Sequence, residues 1–142
     1  MIIKPEAIIS DFAAATPQQA IRRAGDALFA VDACEAGYAE AMVENYQRLG
    51  PYFVITPGLA MPHARPEQGA KQAQLSLVRL AQPLAFGHQE NDPVHLVLGL
   101  SATSSDSHIA LIQRVVTVLA QPQNMELLAS GDPDTLCRLF NA

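Results

Sequence analysis

No stretch of this 142-residue sequence approaches the roughly 18 consecutive apolar residues of a membrane-spanning helix, although 49% of it is apolar. Charged residues make up only 16%, the net charge is −5, and Lys and Arg form no run. That pattern excludes a basic nucleic-acid groove and a basic membrane-surface helix. Cysteine is limited to Cys34 and Cys137, which make no CxxC or other metal-type spacing. Two isolated thiols fit a reducing cytoplasm. The opening residues meet Pro5 and Glu6 before any apolar region develops, which does not read as a signal peptide. There is no Gly-rich phosphate loop of Walker or Rossmann type, no GxSxG elbow, and no HxxxH or HExxH pair. Two histidines with Asp92 or Asp106 would be needed for a zinc-dependent hydrolase, and no ligand spacing supports one. No metal and no cofactor are expected. Repeats, low-complexity segments and linkers are also missing, so residues 1–142 read as one domain.

What is present is a succession of helix and strand signals. Thr16-Pro17-Gln18-Gln19 has an N-cap, a proline at the first helical position and a capping-box glutamine. Ile21, Ala24, Leu28 and Val31 then recur at helical spacing. A second helix is predicted from Tyr38 to Leu49, carrying Met42, Val43 and Tyr46, with Gly50-Pro51 as its stop. Short strands are predicted at Tyr52–Ile55 and Gln74–Leu80, with an edge piece at Leu84–Phe86. Val94–Leu100 is apolar enough to be a central strand covered on both faces. A polar loop, Ser101–Ser107, leads to a helix capped by Asp106 or Ser107, with Ile109, Ile112, Val115, Val116 and Leu119 as its buried stripe. Two short helices follow, near 124–129 and from Pro133 to Phe140, the latter capped by Asp132. This order predicts an α/β fold: a mixed, mostly parallel sheet of about five strands with helices on both faces. The middle connections are too short for crossover helices, hence a mixed sheet.

Four histidines are candidates for chemistry. His63 lies between Pro62 and Pro66, after the turn Pro57-Gly58; prolines can hold a side chain in one presentation. Arg65, two residues on, is permanently cationic and can grip a phosphate oxygen. A surface histidine beside a surface arginine explains the same residues, and both readings stand on local pattern alone. His108 opens a helix after a Ser/Thr-rich loop, where unpaired N–H groups and the helix dipole favour an anion. A solvated first-turn histidine is the alternative. The loop also leaves the central strand at its C-terminal end, where ligands gather in open α/β sheets. His88 reads as a turn residue and His95 as an interior strand residue.

The segment Pro57-Gly58-Leu59-Ala60-Met61-Pro62-His63-Ala64-Arg65-Pro66 resembles the phosphohistidine motif of enzyme IIA domains in the mannitol/fructose class of the bacterial phosphoenolpyruvate-dependent sugar phosphotransferase system. His108-Ile109 matches the second landmark, and Phe86-Gly87 through Pro93-Val94 resembles the stretch leading into the central strand. The similarity runs from about Ala20 to Phe140. Glu44-Asn45-Tyr46, Leu49–Ile55 and Met61–Glu67 are most similar to the ascorbate-type branch. The resemblance implies that His63 accepts a phosphoryl group from the histidine-containing phosphocarrier protein and passes it to enzyme IIB, with no metal ion. His108 and Arg65 would stabilise the phosphate. Mannitol-type members carry a helix arginine where this chain has Asn45; either Arg65 or Asn45 takes its place, or the site uses less positive charge. For attack, one His63 ring nitrogen must be unprotonated while the other holds its N–H against a carbonyl. A regulatory interaction domain switched by phosphorylation is the alternative, although the sequence carries no DNA-binding or membrane segment.

Overall fold

The computed structural model describes residues 1–142. Five strands form one sheet: β1 (Ile3–Phe12), β2 (Val54–Thr56), β3 (Leu59–Ala60), β4 (Gln74–Leu84) and β5 (Val94–Ser101). Their spatial order is β1-β4-β5-β3-β2, which puts β5 at the centre, as its apolar run requires. The sheet is mixed: β1–β4 and β3–β5 run parallel, β4–β5 and β2–β3 antiparallel, so the parallel share is two pairings of four.

Alternation along the strands builds two cores. On one face, Val78 and Val97 pack with helices α1 (Pro17–Ala30) and α2 (Tyr38–Leu49). On the other, Leu75, Leu77, Leu96, Leu98 and Leu100 pack with α3 (Ser105–Leu119), α4 (Gln123–Ser130) and α5 (Pro133–Asn141). Helices thus cover both faces. Helix α1 approaches its neighbours closely because glycines remove the intervening side chains. A Cβ on Gly25 would lie 2.5 Å from the Ala39 Cβ of α2, and one on Gly99 would lie 2.4 Å from Ser76 Oγ.

The helix ends follow from local chemistry. Thr16 Oγ1 accepts from Gln19 N–H at 3.2 Å, while Gln19 Oε1 accepts from Ala15 N–H, one residue before the expected capping-box partner. Gly50 ends α2 at φ +81°, and Asp132 Oδ1 caps α5 through Thr135 N–H. Helix α3 starts earlier than predicted. Its cap is Ser104, not Asp106 or Ser107, because Ser104 and Ser107 each accept the other's backbone N–H through their hydroxyls. The buried stripe also differs: Leu111, Val115 and Val118 are buried, whereas Ile109 and Val116 are about half exposed, at 52% and 55%.

Two strands were not predicted. β1 carries Pro5, which an edge strand tolerates because one side of its backbone is unpaired. It is clamped from α5: Asn141 Oδ1 accepts from Ile2 and Ile3 N–H, and Asn141 Nδ2 donates to Ile3 C=O. β3 has only two residues, too few to show a period. Tyr52 and Phe53 precede β2 in a turn, and Leu84 ends β4 instead of forming a separate edge piece.

Arg79 of β4 is 9% exposed and joins the sheet to the end of α4. Its guanidinium donates to the carbonyls of Leu127, Leu128 and Gly131 and to Ser10 Oγ. No carboxylate pairs with it; the negative end of the helix dipole takes that part. Burial pushes its pKa down, yet an arginine stays protonated at working pH. Arg79→Met keeps the aliphatic stem and removes the donor from three carbonyls, of which Leu127 C=O keeps the Gly131 N–H. The expected loss in urea unfolding is about 3 kcal/mol.

Candidate functional site

His63 follows β3 directly and forms a parallel bridge with Leu100 near the C-terminal end of β5. His108 stands in the first turn of α3, reached from β5 through residues 102–104. The two rings meet edge to face with centroids 4.9 Å apart. The residues singled out at positions 63 and 108, 45 apart in the chain, are thus brought together by the end of the central strand.

The His63 ring is oriented locally. Its Nδ1 lies 3.0 Å from Met61 C=O. A carbonyl only accepts, so Nδ1 carries the proton and Nε2 keeps its lone pair. This is the arrangement that nucleophilic attack requires. Tyr52 packs edge-on against the same ring, with centroids 5.8 Å apart, and helps to restrain it.

A cavity of about 480 Å³ opens between the two histidines, lined also by Arg65, Ser104, Ser105 and Ile109. The Ser104–Ser107 cap uses the Ser107 amide. The amides of Ser105 and Asp106, in the first turn, have no intrahelical acceptor. They give this wall a positive character suited to an oxyanion. His108 has its pKa lowered, first by burial and second by the charge of His63. It is a neutral hydrogen-bond donor at neutral pH.

Arg65 lines the cavity but is largely exposed, with Nε 3.5 Å from Glu67 Oε1. Such an exposed pair holds the side chain weakly and leaves it free to turn inward. Asn45 does not line the cavity. It is buried, donates from Nδ2 to Gln68 Oε1 at 3.2 Å, and accepts from Arg48 Nη2 at 3.1 Å. Gln68 Oε1 in turn accepts from Arg65 N–H at 2.8 Å. Asn45 therefore reaches the His63–Arg65 loop only through Gln68. His88 is a turn residue, its Nδ1 accepting from Glu90 and Asn91 N–H, and His95 packs beneath Gly58. Neither joins the site.

The sequence reading missed Ser104 as the cap, and Tyr52 and Gln68 as supports of the loop. Ser104 and Ser107 have the three-residue spacing of a capping pair, which was the available signal. Beside His63 lies a smaller, apolar hollow of about 120 Å³ that includes Tyr52, Ile55, Met61 and Ile112. With Ile109 and Val116 it forms an apolar rim around the reactive ring.

A mixed five-stranded sheet with two facing histidines at the end of its central strand, one with an unpartnered ring nitrogen, has the arrangement a phosphohistidine carrier needs. The chain belongs to the family described as "Phosphoenolpyruvate-dependent sugar phosphotransferase system, EIIA 2", whose model matches residues 1–142. It is a phosphotransferase component of that system. Among relatives, it is 40% identical over 116 residues to the ascorbate-specific PTS system EIIA component of Escherichia coli (strain K12), covering 81% of this chain and 75% of that protein. The mannitol-specific cryptic phosphotransferase enzyme IIA CmtB from Escherichia coli superposes with a TM-score of 0.81 at 31% identity, over 98% of this chain and 94% of the other. The enzyme IIA of the Escherichia coli mannitol complex with phosphorylated enzyme IIB gives a TM-score of 0.83 at 25% identity, over 99% of each chain.

Proposed function

We propose that His63 is the residue that carries the phosphoryl group, accepting it from the histidine-containing phosphocarrier protein and passing it to an enzyme IIB in the cytoplasm. The observation that carries this reading is the fixed His63 ring, with Nδ1 held by Met61 and Nε2 free beside the cavity. The Nε2 lone pair attacks phosphorus; the donor's N–P bond breaks and its electron pair returns to the donor ring. No proton need move. On the return step the same bond is broken by the nucleophile of enzyme IIB. His108, the α3 amides and an inward-turned Arg65 stabilise the charge on the three phosphoryl oxygens, so the catalysis is positioning and electrostatics. Asn45 serves by holding Gln68, and through it the Arg65 backbone. The apolar rim of Tyr52, Ile55, Ile109 and Val116 fits a site that meets protein partners.

Within the family, the relation to ascorbate-specific components favours an ascorbate-like acid sugar as the final acceptor. The test is incubation with phosphoenolpyruvate, enzyme I and the phosphocarrier protein, mapping of the acid-labile phosphate, and then presentation to ascorbate-type and mannitol-type IIB proteins. Label on His63 that passes faster to the ascorbate-type IIB is expected. Label on another residue refutes the site; faster passage to the mannitol-type IIB refutes the branch.

A further inference from the structure

A parallel bridge such as His63–Leu100 is normally closed by two ladder bonds, one on each side of residue 63. The first is direct, Leu100 N–H donating to Pro62 C=O at 3.1 Å. The second, from Ala64 N–H to Leu100 C=O, is weak in its direct geometry and is bridged by a side chain as well. Ala64 N–H donates to the Tyr38 hydroxyl oxygen at 3.1 Å, and the hydroxyl donates to Leu100 C=O at 2.9 Å. Ala64 C=O also lies 3.1 Å from that oxygen, a second acceptor on the His63 segment. Tyr38 begins α2 and is fully buried. Burial pushes its phenol up to about 12, so the relay keeps its proton.

Phenylalanine would fill the same apolar space. The hydroxyl is used only on the segment that bears His63 and on the end of the strand that leads to His108. The hydroxyl thereby ties the two backbones together at the rung on which His63 sits. We infer that Tyr38 is a positioning residue for phosphoryl transfer, its hydroxyl bracing the weak rung that seats His63 beside the β5–α3 loop. This rests on His63 as the phosphoryl acceptor. Without the hydroxyl, Ala64 N–H and Leu100 C=O are left with their weak direct contact, and the segment bearing His63 loosens relative to His108.

The experiment is Tyr38→Phe in the full chain, with transfer from the phosphorylated phosphocarrier protein measured well below the unfolding temperature. The expected result is a fall in kcat of about tenfold to a hundredfold with KM within about twofold, because a misplacement near 1 Å carries such a penalty. By NMR, the cross-relaxation between the His63 and His108 rings should weaken, and the His108 titration should move back toward the ordinary histidine value. A variant with lowered thermal stability but wild-type kcat and an unmoved His108 titration overturns the proposal. If Tyr38→Phe does not fold, 4-aminophenylalanine at position 38 decides. It fills the same volume and donates to Leu100, but accepts poorly from Ala64. Its kcat should fall at constant KM, and an unchanged kcat overturns the proposal. Mapping phosphate in the wild-type protein separates the two ideas. Label away from His63 removes the parent reading, whereas label on His63 with unaltered Tyr38 variants removes only the role of Tyr38.

Discussion

With His63 replaced by alanine, no acid-labile phosphate should appear on the protein after incubation with phosphoenolpyruvate, enzyme I and the phosphocarrier protein. The expectation is a complete loss, because the substitution removes the nucleophile itself. His108 cannot take over. Its ring sits on the α3 wall of the cavity, half-buried, and no carbonyl holds one of its nitrogens as Met61 holds His63 Nδ1. The variant should stay folded, since the His63 side chain makes one hydrogen bond, to a carbonyl two residues away. Circular dichroism and thermal unfolding close to wild type would show that. Phosphate uptake at the wild-type rate by a folded His63→Ala protein would sink the assignment.

Replacing His108 with glutamine should leave phosphate uptake detectable and slow its onward transfer to enzyme IIB by about a hundredfold, the usual effect of removing one donor from a developing oxyanion. Quench-flow measurement of both half-reactions distinguishes this from a general loss; equal slowing of uptake and release would contradict it. The same residue makes a prediction in pH. His108 has its pKa depressed in the folded protein, by burial and then by the charge of His63, from an ordinary value of 6.5. Below 6.5 the unfolded chain therefore binds a proton that the folded chain resists. Folding stability is full above that value, falls as pH drops through it, and levels off beneath the depressed value. Phosphorylation of His63 places an anion beside His108 and should raise its pKa instead. An NMR titration of the His108 ring in the phosphorylated and free proteins checks this; a shift in the same direction in both states would contradict it.

Much of this was legible in the chain because it is local. Helix α2 has the bounds Tyr38–Leu49 that its stripe and the Gly50-Pro51 stop indicate, and Thr16 and Asp132 cap as their types require. β5 is central because its apolar run needs cover on both faces. His63 and the need for a carbonyl behind its ring were legible too, since that carbonyl lies two residues upstream. What escaped was set by tertiary context. β1 breaks its alternation with Pro5, and its clamp, Asn141, lies 138 residues from Ile3. The buried side of α3 was misread because the helix carries two apolar stripes, and packing against the sheet and α5 decides that the one with Leu111, Val115 and Val118 turns inward. Tyr38 looks like ordinary core in sequence, and its hydroxyl partners are 26 and 62 residues away.

The two-residue length of β3 has a consequence for the order in which the molecule assembles. β4 and β5 are joined by a short connection and pair along seven register positions, so their meeting closes a small loop. The strand that delivers His63 pairs with β5 at only two positions plus the single bridge, across a separation of nearly forty residues. Chain closure of that kind comes late, and rungs so few are the first to open in the native state. Amide exchange should accordingly be slowest along β4 and β5 and faster from Leu59 to Ala64. The segment bearing His63 is thus expected to dock late on an early-formed hairpin and to open locally before the rest of the protein unfolds.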